Sequence, residues 1–385
     1  MVKTSTTPSC MSFQRLLAPL LLEKFNRGKA LIVVGPRQSG KTTLINDILK
    51  NKEFLFLDGD DPFVRERLEG INTSELGSLI GSHRIVFIDE AQRIPGIGLT
   101  CKIITDRFPE VQLIISGSSA LEINDHTNEP LTGRKYEYSL LPISWQEFEQ
   151  SVGVLEARRQ LETRLVMGMY PDVMNHQGAE AEEVLRQLGS SYLMRDILAF
   201  TGIRKPEIIE RLLRALALQV GSEVSFNELS NLLGIDKSTV MRYLWYLEKA
   251  YIVFQLPSFS RNLRNEIKNN RKIYFYDNGL RNILINNLNP LALRNDTGAL
   301  WENFLVSERI KFQGYNGLYC SNYFWRTVQK QEIDFIEESN GKLRAYEFKW
   351  RDNRRTRLPK SFLETYGAEG VVVDRENFRD WLVVK

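Results

Sequence analysis

The sequence predicts an α/β protein with a parallel sheet in its N-terminal part, followed by a helix-turn-helix and a mixed α/β module at the C-terminus. Between residues 30 and 150, short β-rich runs alternate with helical stretches, which is typical of a parallel sheet with helices on both faces. These runs occupy residues 30–34, 54–57, 84–88 and 111–116. Two helical patterns then meet near residue 234, and strand patterns return beyond residue 296.

The length of 385 residues predicts two or three domains, and we expect three. We place an N-terminal domain at residues 1–150, a helical lid or linker at 151–204, a helix-turn-helix domain at 205–290 and a C-terminal domain at 291–385. The lid or linker is indicated by apolar residues that recur at helical spacing, with Gly and Pro as the main interruptions.

Composition excludes wholesale disorder, because 43% of the residues are hydrophobic and enough apolar surface exists for packed cores. The net charge of +3 neither requires nor excludes a polyanionic partner. The three cysteines are too scattered for a disulfide framework or a zinc site, and the odd number indicates the cytoplasm. Residues 16–22 are too few to span a membrane, so we expect a helix beside the first strand and no membrane partner.

A phosphate-binding motif follows the first apolar run. The segment from Gly35 to Thr42 matches G-x-x-x-x-G-K-[ST] and leads into a helix-compatible stretch. Such a loop wraps its backbone around phosphates, and the next helix presents free N–H groups to them. We expect Lys41 to contact the β- and γ-phosphates of ATP and Thr42 to bind Mg²⁺. The expected nucleotide-binding residues are Gly35, Pro36, Arg37, Gln38, Ser39, Gly40, Lys41, Thr42 and Thr43.

An acidic pair ends the apolar run at residues 84–88, about 47 residues after the lysine of the first motif. We expect Asp89 to bind the magnesium directly or through water, and Glu90 to orient or deprotonate the attacking water. The alternative is a glycine-rich turn together with a chance acidic pair at the end of a strand.

Two further side chains are candidates for the same site. Ser116 ends the run at residues 111–116 and is predicted to sense the γ-phosphate, or else to be an ordinary helix cap. Arg134 is a candidate cation for the transferring phosphoryl group in its own or a neighbouring subunit, or else a solvated loop arginine.

These motifs together resemble those of a known family. Gly-Pro-Arg-Gln-x-Gly-Lys-Thr-Thr, Ile-Asp-Glu-Ala-Gln, Ser-Gly-Ser-Ser and the Leu-Pro-Ile-Ser-Trp-Gln-Glu-Phe segment at residues 141–148 are similar to those of prokaryotic AAA-type ATPases with an uncharacterised C-terminal domain. The resemblance covers nearly the whole chain. It implies an AAA-like ATPase domain, a winged helix and a nuclease-like module, and a homo-oligomer is compatible with it.

The helix-turn-helix pattern spans residues 224–247, with a tight turn at Gly234 and Asp236 placed to cap the second helix. A strand pattern and a basic run at residues 261–272 follow it, as in a winged helix. Residues 201–275 contain 12 Lys or Arg and 7 Asp or Glu, a net +5, which favours a phosphate-binding surface over a protein-packing module. The expected DNA-contacting residues are Lys237, Ser238, Thr239, Arg242, Arg261, Arg264, Lys268, Arg271 and Lys272.

The C-terminal module carries a pattern that resembles the restriction-endonuclease-like fold. Glu347 and Lys349 alternate on one strand, Asp334 lies on the preceding strand and Glu302 lies in a helical run. The resemblance implies that Glu302, Asp334 and Glu347 hold Mg²⁺ beside a phosphate while Lys349 activates water. The alternative is a solvated face of alternating charges.

Three functions are compatible with these patterns. The first is an ATPase whose hydrolysis drives or gates an action on DNA. The second is a nucleotide-dependent switch that binds a protein, with an inert nuclease-like module. The third is a magnesium-dependent nuclease regulated by ATP.

Overall fold

A computed structural model describes residues 13–117, 131–189, 197, 205–260, 271–327, 329–351 and 357–383. Its N-terminal sheet is parallel, as predicted, with strand order β2-β3-β4-β1-β5 in the described part of the chain. The strands are β1 (Ala30–Val34), β2 (Leu55–Asp58), β3 (Ile85–Asp89), β4 (Gln112–Gly117) and β5 (Lys135–Ser139).

The helices of this region cover both faces of the sheet. On one face, α1 and α2 bury Leu21 and Leu44 against Leu31 of β1. On the other face, α4 and α5 bury Leu76 and Ile104 against strands β1, β3 and β4. The helices are α1 (Leu17–Glu23), α2 (Lys41–Leu49), α3 (Pro62–Leu68), α4 (Thr73–Ile80) and α5 (Ile97–Arg107), with a 3-10 turn at Ala91–Arg93. Strands β1, β3 and β4 are buried along their whole length, which is why their sequences are nearly continuous apolar runs.

A helical region connects this sheet to the rest of the chain. It consists of α6 (Trp145–Val152), α7 (Val154–Met167), α8 (Pro171–Met174), α9 (Gly178–Gln187) and α10 (Pro206–Leu218). The helix-turn-helix follows as α11 (Phe226–Leu233) and α12 (Lys237–Lys249). The turn after α11 requires a φ of +67° at residue 234, which glycine adopts without strain. A small antiparallel sheet completes it, in the order β6-β8-β7, from β6 (Glu223–Val224), β7 (Val253–Pro257) and β8 (Arg271–Phe275).

The C-terminal module has the predicted mixture of helices and strands. Its sheet has the order β12-β11-β10-β9, in which β11 and β12 are parallel and the other neighbouring pairs are antiparallel. The strands are β9 (Ser321–Arg326), β10 (Glu332–Ser339), β11 (Lys342–Phe348) and β12 (Glu369–Val373). The helices are α13 (Asn278–Leu284), α14 (Thr297–Tyr315), α15 (Lys360–Tyr366) and α16 (Phe378–Leu382), with a 3-10 turn at Leu291–Leu293.

One hydrophobic core joins the helical region, the helix-turn-helix and the C-terminal module. Leu165, Leu244, Trp301 and Phe378 belong to the same buried cluster, although they come from three of the four predicted segments. Helix α14 lies at the centre of this arrangement. Its last residue, Tyr315, belongs instead to the core on the α1 side of the N-terminal sheet, so this helix connects the two halves of the molecule.

Candidate nucleotide-binding site

The phosphate motif forms the loop between β1 and α2, as predicted, with residues 35–40 in the loop and Lys41, Thr42 and Thr43 in the first turn of the helix. Gly40 precedes α2 with a φ of +91°, and no side chain caps the helix at this position. Gly35 lies against the chain after β5, where an added Cβ would be 2.1 Å from the carbonyl oxygen of Leu140. The two glycines therefore shape a loop whose helix N-terminus is open to an anion.

Lys41 lies inside this loop. Its side chain is buried, with a residue exposure of 5%, and its ammonium donates to the carbonyl oxygens of Gly35, at 3.0 Å, and Pro36, at 2.9 Å. These bonds hold the ammonium within the curve of the loop, where phosphate oxygens of a bound nucleotide would meet it.

The loop and the acidic strand meet at Asp89. The hydroxyl of Thr42 donates to Asp89 Oδ2 at 2.7 Å, and the hydroxyl of Ser116 donates to Asp89 Oδ1. Strand β4 lies between β1 and β3, so the carboxyl end of β4 brings Ser116 between the two motifs. A hydroxyl and a carboxylate in direct contact are oxygen donors that suit Mg²⁺, so the residues present fit the expected ion.

Glu90 begins the turn after β3 in the left-handed region, with a φ of 45°. Its carboxylate accepts a 2.5 Å hydrogen bond from Nε2 of Gln92. Sequence reasoning did not assign a role to Gln92, although it is part of the Ile-Asp-Glu-Ala-Gln motif. The amide fixes the orientation of the glutamate that is expected to face the attacking water.

Arg134 does not reach the site of its own subunit, so that part of the prediction is wrong. Its carbonyl oxygen accepts from Ala30 N at 2.9 Å, which places Arg134 beside the start of β1, whereas the phosphate loop follows the end of β1. A strand rises about 3.3 Å per residue, so the two edges are separated by roughly 15 Å. Arg134 instead pairs with Asp106 at 2.5 Å.

Arg15 supports the loop from behind, and sequence reasoning missed it. Its buried guanidinium donates to the carbonyl oxygens of Ser39 and Leu141, both at 2.6 Å, and to Glu147 at 3.0 Å. Burial opposes the charge, but Glu147 outweighs it and the pKa of Arg15 is raised overall. The arginine thus joins the phosphate loop to the segment at residues 141–148. In the sequence, the acidic residue Glu147 in that segment is the signal that could have indicated a buried cationic partner.

Helix α14 contacts that same segment. The amide of Leu141 donates to the hydroxyl of Tyr315 at 3.1 Å, and Lys311 donates to the carbonyl oxygen of Ile143 at 3.1 Å. Glu308 accepts from the amide of Trp145 at 2.5 Å. The residues 141–148 therefore lie between the phosphate loop and a helix of the C-terminal module.

The predicted DNA-contacting residues are placed unevenly. Lys237, Ser238 and Arg242 are exposed on α12, whereas Thr239 is half-buried. Asp236 caps this helix, as predicted, by accepting a hydrogen bond from the amide of Thr239 at 2.9 Å. Hydrogen bonds from Ser238 and Thr239 hold the pKa of Asp236 below its ordinary value. Arg261, Arg264 and Lys268 lie outside the described residues.

The two remaining cations of that set begin β8. Arg271 is half-buried and donates to Gln255 at 2.8 Å. Lys272 has a side-chain exposure of 1% and pairs with Glu302 at 2.9 Å and Glu332 at 2.6 Å. The prediction that Lys272 contacts DNA is therefore wrong, because its ammonium points into the protein.

The structure brings the residues of the predicted acidic site together, but their carboxylates accept hydrogen bonds from groups of the chain itself. Asp334 accepts from the amide of Phe348 at 2.8 Å, and Lys349 donates to Glu347 at 2.7 Å. Burial, and then the carboxylates of Glu302 and Glu347, raise the pKa of Asp334 well above its ordinary value. Within the described residues, no three Asp, Glu, His or Cys side chains are grouped so that they can hold a metal ion. Because Glu302 and Glu347 are each paired with an ammonium group of the chain, the arrangement does not fit the magnesium that is expected here.

No helix in the described ranges combines the length and the apolar character needed to cross a membrane.

Three domain families match successive parts of the chain. An AAA domain matches residues 27–149, a domain of unknown function (DUF8612) matches 158–291 and another domain of unknown function (DUF4143) matches 297–383. The AAA match contains the phosphate loop, the acidic strand and the whole parallel sheet. Its agreement with that sheet confirms the predicted AAA-type, ATPase-like domain.

Full-length relatives extend the comparison. An uncharacterized protein of Mycobacterium tuberculosis is 30% identical over 346 residues, covering 89% of this chain and 75% of that protein, and one of Mycobacterium bovis matches equally. An uncharacterized protein of Haemophilus influenzae is 24% identical over 272 residues, covering 65% of this chain and 68% of its own length. Among solved structures, the Walker-type ATPase of Pyrococcus abyssi aligns with a TM-score of 0.49 and 17% identity, over 71% of this chain and 96% of its own. Through its identity to the mycobacterial proteins over most of both chains and its AAA domain, the chain belongs to a family of AAA-domain proteins that includes the uncharacterized protein of Mycobacterium tuberculosis.

Proposed function

We propose that this protein binds ATP together with Mg²⁺ and hydrolyses it. The observation that carries the proposal is the convergence of Thr42 and Ser116 on one carboxylate, Asp89, at the carboxyl edge of the parallel sheet. Three elements that are distant in the sequence thereby present a hydroxyl, a carboxylate and a second hydroxyl beside an open phosphate loop. This is the donor set that a nucleotide and its magnesium require.

Each residue has a separate role in this proposal. The backbone N–H groups at the start of α2 bind the phosphates, and Lys41 neutralises the β- and γ-oxygens. Thr42 and Asp89 would hold the magnesium, which supplies further neutralisation of the phosphate charge when bound. Ser116 orients Asp89, and Glu90 positions the attacking water and accepts its proton, with Gln92 fixing the carboxylate.

In this proposal, Arg134 acts only on the ATP that is bound by a neighbouring subunit. Since it lies at the edge of the sheet opposite the phosphate loop, it can meet a phosphoryl group only in another copy of the chain. A homo-oligomer is therefore the arrangement in which Arg134 acts on ATP, as the resemblance to AAA-type ATPases also implies.

We further propose that the protein acts on DNA in the cytoplasm, and that residues 205–290 form a winged helix. Helices α11 and α12 and the antiparallel strands beside them support this interpretation. The exposed residues Lys237, Ser238 and Arg242 at the start of α12 are placed where such helices meet phosphates or bases. The division at 1–150, 151–204, 205–290 and 291–385 stays part of this proposal.

The ATPase proposal is tested with Lys41→Ala and a matched Lys50→Ala control, since Lys50 is an exposed lysine at the end of the same helix. Binding of a fluorescent ATP analogue and phosphate release are measured for both proteins and the wild type. The proposal requires that Lys41→Ala loses both activities and that Lys50→Ala keeps both. Unchanged phosphate release by Lys41→Ala would reject the assigned site.

The DNA proposal is tested by the salt dependence of binding to duplex DNA. Loss of one phosphate contact in Arg242→Ala is expected to reduce the slope of log affinity against log salt by about 1. Arg159→Ala is the matched control, because this arginine is 80% exposed and lies on α7. Equal slopes for the wild type and both variants would instead favour a nucleotide-dependent switch that binds a protein.

A further inference from the structure

We propose that the protein's own ammonium group, that of Lys272, bridges the acidic cluster of the C-terminal module and joins two modules there, and that the cluster does not bind a divalent metal ion. The cluster consists of Glu302 on α14, Glu332 and Asp334 on β10, and Glu347 on β11. Lys272 comes from β8 of the small sheet, so its side chain crosses from one module to the other.

The geometry of Lys272 is that of a bound cation. Its ammonium lies 2.9 Å from an oxygen of Glu302 and 2.6 Å from an oxygen of Glu332, and it is also 5.5 Å from the ring centre of Phe324. Burial opposes its charge, but Glu302, Asp334 and Glu332 outweigh burial and raise its pKa overall. The ammonium therefore bridges two carboxylates of the cluster from a buried position, and one of them, Glu302, is an expected magnesium ligand.

Two further cations lie beside the cluster. Lys349 donates to Glu347 at 2.7 Å, and Arg326 lies 3.7 Å from Glu332 and 3.3 Å from Glu223. The three carboxylates of Glu302, Glu332 and Glu347 thus face three cations of the same chain. Two of the three expected magnesium ligands, Glu302 and Glu347, are thereby already paired with an ammonium group of the chain.

Neighbouring groups fix Glu302 in this arrangement. The hydroxyl of Tyr274, also on β8, donates to the same oxygen of Glu302 at 2.7 Å. Gly221 also lies against this carboxylate, since an added Cβ would be 3.3 Å from it. Residues that precede and form the small sheet therefore enclose the glutamate of α14. Removing one partner of such a buried pair leaves an uncompensated charge. A single substitution in this contact should therefore strongly destabilise the packing of the two modules.

A metal ion bound to Glu302 would have to share this carboxylate with Lys272. Mg²⁺ requires oxygen ligands at about 2.0–2.1 Å in nearly octahedral geometry. The side chain of Lys272 is 1% exposed, so its ammonium can reach water only if the surrounding groups move. These ion pairs favour the inert module of the second alternative over the nuclease.

The experiment counts bound Mn²⁺ by electron paramagnetic resonance in the full-length, nucleotide-free protein. All proteins carry Asp89→Asn, which removes a metal ligand of the ATP site. We expect no tightly bound Mn²⁺ in this parent protein. Lys272→Met on the same background is expected to gain one site, and Glu302→Gln is expected to remove it again.

Two outcomes overturn the proposal. One is a Mn²⁺ ion in the parent protein that Glu347→Gln abolishes, a result that does not depend on whether the Lys272 variant folds. The other is a folded Lys272→Met protein that gains no Mn²⁺ site. Thermal unfolding gives a second readout, in which Lys272→Met lowers Tm much more than Lys342→Met, the same change at an exposed lysine on β11. Equal Tm values for these two variants would reject the role of Lys272 in joining the modules.

Discussion

The hydroxyl of Thr42 donates a 2.7 Å hydrogen bond to the carboxylate of Asp89, a residue 47 positions further along the chain. The contact exists because β1 and β3 are parallel, so that the loop after one strand and the acid at the end of the other lie at the same edge of the sheet. Ser116 joins them from β4, which lies between those strands. The nucleotide site is therefore a consequence of strand order, and changes that distort this edge should impair binding before they impair folding elsewhere.

Replacing Gly35 by alanine should deform the phosphate loop. The added Cβ would be 2.1 Å from the carbonyl oxygen of Leu140. Neither atom can rotate away, because the oxygen belongs to the backbone and the position of the Cβ is fixed by the backbone. We expect a loss of about 1–3 kcal/mol in the free energy of unfolding, together with weaker nucleotide binding. Urea unfolding and titration with a fluorescent ATP analogue measure the two effects.

The control for Gly35→Ala is Gly298→Ala. No atom lies within 4 Å of the position where its Cβ would be, and the residue is in helix α14, where alanine is favoured over glycine. This variant should be at least as stable as the wild type. An equal loss of stability in both variants would show that the close approach to Leu140 is not the cause.

Replacing Arg15 by methionine should strongly destabilise the N-terminal part of the protein. The change leaves Glu147 as a buried carboxylate without its arginine and removes the donors to Ser39 and Leu141. Breaking a buried ion pair from one side typically costs about 3–5 kcal/mol of unfolding free energy. Chemical unfolding of the variant measures this cost.

Two companion variants separate the ion pair from a general effect of arginine loss. Glu147→Gln combined with Arg15→Met should recover part of the stability, because no unpaired charge is then buried. Arg158→Met should cost no more than about 1 kcal/mol, since Arg158 pairs with Glu376 at the surface. If the double variant is less stable than Arg15→Met alone, the unpaired carboxylate is not the origin of the effect.

Cys101 should make the N-terminal domain less stable at alkaline pH. Burial raises the pKa of its thiol to about 12, whereas a cysteine in an unfolded chain has a pKa of about 8.5. Above pH 8.5 or so, the unfolded chain releases a proton that the folded chain retains, so this contribution to stability is present below that pH and is lost as the pH rises toward 12. Cys101→Ala removes the contribution.

The measurement is the unfolding free energy of the wild type and Cys101→Ala at pH 7 and pH 10. Although alanine costs some packing at both pH values, the difference between the two proteins should shrink at the higher pH. A difference that stays the same or grows would contradict the raised pKa. Labelling of the native protein with a thiol reagent gives an independent check, because buried Cys101 should react only after unfolding.

Much of the N-terminal fold was predictable because burial leaves a direct mark on the sequence. Strands β1, β3 and β4 are covered on both faces and read as continuous apolar runs, so their positions were predicted to within a residue. Strand β5 was not predicted, since Lys135–Ser139 is a partly exposed edge strand with polar residues. The nucleotide motifs likewise predict that Thr42 and Asp89 share a magnesium site, but not that the hydroxyl of Ser116 bonds to Asp89.

The errors come from side chains whose partners are distant in the sequence. Lys272 was assigned to a basic surface because it ends a basic run, and only the pairing of β8 with α14 shows that its ammonium meets Glu302. Arg134 follows a motif of the nucleotide site, yet the register of β5 with β1 places it at the opposite edge of the sheet. The local sequence shows that a side chain is charged, but tertiary packing decides which groups that side chain contacts.

Phosphate release from ATP by the wild type and Glu90→Gln, measured with nucleotide affinity, tests the central claim most directly. Glu90 lies at the end of β3 next to Asp89, and its carboxylate is held by Gln92. Loss of the general base should lower turnover by about 10²–10⁴-fold while the neutral side chain leaves ATP binding intact. Turnover at the wild-type rate in Glu90→Gln, or nucleotide binding without phosphate release in the wild type, would contradict the assignment of this protein as an ATPase.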